Sequence, residues 1–422
     1  MLNFLKRTAS IHSGVLSATL ICLLCSPAVA QDVVIVGAKV YPSPHAPAIP
    51  DATVVVRGGV IAAVGPSDQV EAGPSNRTIS GDGLVVVAGL WNSHVHLLLP
   101  SMALPPEENA EALSNELEGM LTRWGFTTVF DIASLPGAAI DLRRRIESGE
   151  VRGPNILTVD APFFPNDGTP IYLRELLKGL PSMEVGTPDA ASERVRRQLE
   201  AGADGVKIFA GAIIGGETGV LPMALDDAKA VVAEAHRHGK PAFAHPSNQE
   251  GLDVTIESGV DVLAHTTPDD GERWTPELVK RLTSHDIALI PTLGLWRVES
   301  EAHGLPAEKV EQTIALAQQQ LGAFAAAGGD VIFGTDIGYI QTSDTSKEYQ
   351  LMQGAGLSFE QILASLTTTP ASRFGVGNKG KIEVGMDADL TVLAADPASR
   401  IEAFADVAYT IRGGLVIFRS QR

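Results

Sequence analysis

Residues able to bind a metal ion or move a proton recur in this sequence at the ends of short apolar runs. His94-Val95-His96 closes one such run, and at two-residue spacing both imidazoles leave an extended strand on the same side. His245 follows Pro241-Ala242-Phe243-Ala244, His265 follows Asp261-Val262-Leu263-Ala264, and Asp336 follows Val331-Ile332-Phe333-Gly334-Thr335. Lys207 lies inside an apolar run, Gly205-Val206-Lys207-Ile208-Phe209-Ala210. Four imidazoles and a carboxylate suit a divalent metal, zinc first, since nitrogen and carboxylate oxygen are among its preferred donors. An ammonium within an apolar strand is costly unless paired or neutralised. A lysine there can take up carbon dioxide as a carbamate, an anion able to bridge two metals. Each residue alone has a blander explanation, a histidine hydrogen-bonded at a strand end or a lysine reaching the rim. The complete set, in chain order, favours the metal site.

The elements that must position these residues follow from the hydrophobic pattern. Strand-like runs fall at 127–132, 156–159, 205–209, 242–244, 262–264, 288–291 and 331–333, with one more leading into His94. Helical patterns fill the gaps, as at 222–238 and 307–327. Eight Val- and Ile-rich strands alternating with helices point to an α/β fold, a (β/α)8 TIM barrel over residues 88–375. In that fold the catalytic groups sit at the C-terminal strand ends, where His94, His96, His245, His265 and Asp336 fall. An open doubly wound sheet is disfavoured, because no glycine-rich phosphate turn follows the first strand. Short strands at 33–36, 53–57, 60–64 and 84–87, and again at 389–393, 407–411 and 415–418, predict a small β-sandwich. It is built from both termini, residues 31–87 plus 376–422.

The chain has 422 residues and a net charge of −18, which excludes a general nucleic-acid or anionic-membrane surface. Lys6 and Arg7, an apolar run from Val15 to Leu24 and Ala28-Val29-Ala30 read as a cleavable signal peptide over residues 1–30. The run is too short and too interrupted to span a membrane, so no stable membrane anchor is expected after cleavage. Export to the bacterial periplasm is the expected destination. Both cysteines, Cys22 and Cys25, fall within the removed segment, and the mature chain carries a charge of −20. His236 and His238 precede Gly239 at a helix end and read as structural, as does Arg373, whose alternative is a substrate carboxylate. His45, His285 and His303 receive no role. The pattern is compatible with a homo-oligomer.

These residues resemble the metal-dependent amidohydrolase superfamily. The matching segments are Ala88-Gly89-Leu90-Trp91-Asn92-Ser93-His94-Val95-His96, the Lys207 strand, His245, His265 and Gly334-Thr335-Asp336. Gly385-Met386-Asp387-Ala388-Asp389-Leu390 resembles the family's return into the small β-domain. Within the superfamily the chain looks most like the imidazolonepropionase- and prolidase-related branch with a strand-four lysine. Asn92 stands where that pattern usually has Asp, and Ala88 where Pro is common; Asn92 is expected to support the turn through hydrogen bonds. The resemblance implies two zinc ions per chain. His94, His96 and Asp336 would hold one, His245 and His265 the other, with carboxylated Lys207 between them. It implies hydrolysis by a metal-activated hydroxide, with Asp336 as the general base.

The substrate is a small molecule set by loops at the mouth. Trp296 and Tyr339 either line an apolar substrate pocket or pack ordinarily, and the glycine-rich stretch 211–222 is either a mobile lid or a plain turn. An amide C–N bond is expected, as in an N-acyl amino acid or a prolidase-type dipeptide. The same ligands would serve a lactonase or a phosphotriesterase-like esterase. A non-catalytic periplasmic metal- or ligand-binding protein is the alternative from another class.

Overall fold

The computed structural model describes residues 32–421, and the expected export signal at residues 1–30 lies outside them. The chain opens with β1 (Val33–Val40), β2 (Ile49–Arg57), β3 (Val60–Pro66), β4 (Arg77–Ser80) and β5 (Val85–Ala88). β-branched runs such as Val33-Val34-Ile35-Val36 and Thr53-Val54-Val55-Val56 suit a pleated, half-buried surface. The short β4 pairs in parallel with β1 and was not evident in the sequence.

After Gly89 the chain continues as β6 (Leu90–Val95), which pairs in parallel with β7 (Phe126–Asp131), itself paired with β8 (Asn155–Thr158). Two short strands follow, β9 (Phe164–Pro165) and β10 (Glu184–Val185), paired with each other across an excursion between them. β11 (Val206–Phe209) leads into the hairpin β12 (Gly211–Gly215) and β13 (Gly219–Pro222). β14 (Ala242–His245), β15 (Val262–Ala264) and β16 (Ala288–Ile290) then join β11 in a four-stranded parallel sheet, order β11-β14-β15-β16. These strands are almost wholly buried, as a parallel sheet packed on both faces requires. Helices lie between and after them, among them Leu225–Arg237 and Ala307–Ala326, close to the expected limits.

Seven of the eight expected central strands form ladders, and the segment at 331–333 does not. Val331 makes only a single bridge to Leu289, while the Phe333 carbonyl accepts from Ser93 N at 2.8 Å. This segment divides its bonds between β16 and β6 and then turns at Asp336, so no continuous ladder develops. Between the other two edges, Asp204 N donates to the Thr158 carbonyl at 2.7 Å and Phe163 bridges Ile208.

The chain ends in β17 (Leu390–Leu393), β18 (Val407–Arg412) and β19 (Leu415–Arg419). β17 lies antiparallel against β5, so strands from both ends of the chain share one mixed eight-stranded sheet. This sheet fixes the start of β6. Gly89 N donates to the Asp389 carbonyl at 2.7 Å, and Leu90 N donates to Thr391 Oγ1 at 3.2 Å. A Cβ at Gly89 would stand 2.6 Å from Thr127 Cγ2, so only glycine lets the chain cross there. No helix among the described residues is long and apolar enough to cross a membrane.

Candidate metal centre

β6 carries His94 within the strand and His96 just beyond its end. Asn92 braces the first and the returning segment, donating from Nδ2 to Thr335 Oγ1 at 2.8 Å and accepting from His94 N at 3.3 Å, as the sequence suggests. The segment after Phe333 brings Asp336 to the two histidines. His96 Nε2 is 2.8 Å and His94 Nε2 3.2 Å from Asp336 Oδ1, and the ligand atoms of the three lie within 4.8 Å of one another. Gly338, at φ +102°, holds the returning turn where a Cβ would overlap the His96 carbonyl.

His265 and Asp336 adopt left-handed backbone conformations, φ +77° and +64°, as does Thr292 at +44°. Such strain persists where surrounding contacts enforce it. Here Thr292 Oγ1 donates to the Pro291 carbonyl at 2.9 Å and lies 2.7 Å from His265 Nδ1. Its hydroxyl hydrogen is spent, so it accepts from Nδ1–H and leaves the Nε2 lone pair facing Asp336 Oδ2 at 3.8 Å. His96 is oriented likewise: Nδ1 must donate to the Ala133 carbonyl at 2.7 Å, because a carbonyl only accepts. Both imidazoles thus aim lone pairs at one carboxylate.

His245 and His265 close the group, with ring centroids 4.9 Å apart and His265 4.6 Å from His94. Lys207 is fully enclosed, 5.5 Å from the Phe209 ring. Burial pulls His94 and His245 down to about 3 and His265 well below its ordinary value, so all three are neutral near pH 7. Burial brings the Lys207 ammonium down to about 8 against the pull of Asp336 and Asp131. Both ring nitrogens of His94, His245 Nε2 and Asp336 Oδ1 are buried without a hydrogen-bond partner. Lone pairs converging in this way repel one another unless a cation lies among them, so the residues fit a divalent metal.

The sequence profile of the amidohydrolase family matches residues 85–417. The chain belongs to this family. Ochratoxinase from Aspergillus niger is 24% identical over 404 residues, covering 86% of this chain and 82% of the relative. Allantoinase from Bacillus velezensis is 24% identical over 433 residues, covering 87% and 86%. The structure of a Xaa-Pro dipeptidase superposes with a TM-score of 0.78 at 22% identity, covering 92% of this chain and all of that one, a likeness of fold. This amidohydrolase is therefore an enzyme, a hydrolase of carbon–nitrogen bonds, and not a non-catalytic binder. The family generally uses a divalent metal, in keeping with the His94, His96 and Asp336 cluster.

A cavity of about 290 Å³ opens onto the centre. His96, Lys207, His245, His265 and Asp336 line it, while His94 lies behind them with no exposure. Trp296 and Tyr339 line it too. The 211–222 stretch forms the β12–β13 hairpin rather than an irregular turn, and Ile213 reaches the cavity. Arg373 pairs with Asp286 at 2.6 Å and Asp330 at 2.7 Å, and His236 Nε2 meets Asp261 Oδ2 at 2.9 Å, so both are structural.

Three contributions escaped the sequence reading. The excursion between β9 and β10 supplies Tyr172, Leu176, Leu177 and Met183 to the cavity wall. Its signal was the apolar density of Ile171-Tyr172-Leu173 and Leu176-Leu177 between the strands expected at 156–159 and 205–209. Asp131 supports the rim behind His96, accepting from Leu97 N at 2.9 Å, Ser134 Oγ at 2.8 Å and Thr158 Oγ1 at 2.6 Å.

Glu348 is the third. Buried, it accepts from Leu293 N at 2.8 Å and Gly294 N at 2.6 Å, capping the helix Leu293–Ala302 that carries Trp296. Burial pushes its carboxyl up to about 7, with the two N–H groups opposing. Between pH 4.5 and 7 the folded chain holds a proton that the unfolded chain has released, so this group's contribution to stability falls as pH rises. The loss is roughly 3 kcal/mol across the window. Urea unfolding of wild type and Glu348→Gln from pH 5 to 8 is expected to show a steeper decline in wild type. A pH-independent difference between them would sink this account.

Proposed function

We propose that this chain is an exported, periplasmic amidohydrolase that cleaves an amide C–N bond of a small molecule with two zinc-type ions. The observation that carries this reading is the convergence of His94, His96, His245, His265 and Asp336 around the enclosed Lys207, at the floor of a largely apolar cavity. The two parallel sheets and the 331–337 segment would make a single (β/α)8 ring over residues 88–375. Residues 31–87 and 376–422 would form the second, β-rich domain.

In this arrangement His94, His96 and Asp336 would hold one ion and His245 and His265 the other, with Lys207, as its carbamate, a ligand available to both. When bound, such ions make water acidic enough to attack near neutral pH and polarise a carbonyl. The chain's own groups do the rest. Asp336 takes the proton from the attacking water and returns it to the leaving nitrogen. Thr292 and the Ala133 carbonyl hold His265 and His96 in the tautomers that keep both Nε2 lone pairs inward. The walls exclude bulk water and strengthen each of these interactions.

The test is metal content per chain and intact mass with bicarbonate, joined to turnover of amides, lactones and phosphotriesters. Two ions, one added carbon dioxide and amide turnover are expected. One ion without an adduct overturns the two-metal arrangement, and preferential turnover of lactones or phosphotriesters overturns the amide assignment.

A further inference from the structure

An apolar track runs from the metal centre to the mouth of the cavity. It starts beside a proposed ligand, where the Phe209 ring lies 4.8 Å from the His245 ring. Phe164 packs edge-on against Phe209 at 4.9 Å, and Leu173, Leu177 and Met183 join the same cluster from the excursion between β9 and β10. The track reaches the mouth at Tyr172, whose ring meets that of Tyr339 at 5.6 Å. Lys207 and the ions of the proposed centre stand at its start, where the scissile amide must lie. Asp269 and Glu299, from the segments that follow β15 and β16, also line the cavity. The apolar side is therefore the one formed by the excursion and the β12–β13 hairpin.

Beyond the mouth this side does not give way to polar surface. Tyr172, Leu176, Ile213 and Tyr339 line the cavity and are still between 36% and 47% exposed. Ile171 and Leu180, on the same excursion, carry the exposed apolar area outward. Ile171 Cδ1 would stand 3.1 Å from a Cβ at Gly215, so excursion and hairpin abut. These six side chains form a collar, and they are more than half of the large apolar side chains exposed among the described residues. Single exposed apolar residues are ordinary, whereas a cluster around a ligand mouth marks a surface that something covers. A second copy or a lipid surface seated there permanently would close the entrance to the metal centre. The net charge of −18 also disfavours anionic lipid. What covers the collar must come and go with each turnover, as part of the substrate does. The two tyrosines suit such a boundary, since each ring offers an apolar face and a hydroxyl compatible with water.

We propose that the substrate amide carries an extended apolar chain, fatty acyl or alkyl, which follows this track from the scissile bond and ends on the collar. This rests on the amide reading above and adds to it the character of the group beside the bond. The probes are p-nitroanilides with acetyl, butanoyl, hexanoyl, octanoyl and decanoyl chains, and acetamides with N-butyl, N-hexyl and N-octyl chains. On the metal-loaded enzyme, kcat/KM is expected to rise about threefold per added methylene in one series, until the chain covers the collar. Leu176→Ser/Ile213→Ser removes two partly exposed side chains and is expected to cut the long-to-short ratio in that series by about tenfold, chiefly through KM. Val384→Ser, exposed but outside the cavity lining, is expected to keep the wild-type ratio. A flat or falling dependence in both series overturns the proposal, as does a ratio unmoved in the double variant or cut equally in Val384→Ser. A dimer in sedimentation, or binding to phosphatidylcholine vesicles, that the double variant loses gives the collar to another occupant and also overturns it. If neither series turns over while N-acetyl amino acids or dipeptides do, the proposal fails and the amide assignment stands. If only lactones or phosphotriesters turn over, both fail.

Discussion

Asp336→Asn is expected to lower kcat by about 10²–10⁴-fold, the range lost with a positioned proton-transfer group, while the fold is kept. Asn is nearly the same size and shares with Asp a tolerance for the left-handed conformation that residue 336 adopts at φ +64°. Its backbone N–H still donates to the His94 carbonyl at 2.9 Å, so the turn over β6 survives. The change removes the negative charge toward which three histidines are directed, and with it the oxygen that would take a proton. Steady-state kinetics and metal analysis on the same sample check this. Near-full turnover with metal retained would show that the proton is carried elsewhere.

Lys207 gives the second large effect. Lys207→Met keeps most of the side-chain volume and removes the amine, which separates packing from chemistry. The variant is expected to lose the carbon dioxide adduct and one of two ions per chain, with turnover down by at least about 10³-fold. In metal-free protein the same variant is expected to unfold at or above the wild-type midpoint. The buried ammonium is a cost that a thioether does not carry. Metal content, intact mass and thermal unfolding distinguish the outcomes. Lys207→Met with two ions and wild-type turnover would remove the lysine from the centre.

What the sequence made legible were features written locally. The apolar runs ending in His245 and His265 declare strands because β-branched and small residues in short blocks have few other uses in a buried sheet. His94 and His96 follow from a spacing of two, and the structure sets their rings 5.3 Å apart on one side. Val331-Ile332-Phe333 shows the limit of such blocks: its composition is that of a strand, yet its pairing is shared between two neighbours. Glu348 could not be found this way. A glutamate on a helix looks like a solvated residue, and its role exists only because Leu293 N and Gly294 N, far away in sequence, are brought to it. The wall from the excursion between β9 and β10 is intermediate. Its leucines are visible, but they follow neither a period of two nor one of 3.6, so nothing local says which way they face.

The pairing of β5 with β17 ties the order of synthesis to the order of assembly. His94 and His96 belong to the first quarter of the chain, yet the strand feeding them is anchored by Asp389 and Thr391, made near the end. Contacts of that span form late in folding, because a long loop must close before they reward it. The first metal-binding residues to be made are thus among the last to be fixed. A chain that stops short of β17 would carry every proposed ligand and still lack the backbone contacts that aim two of them.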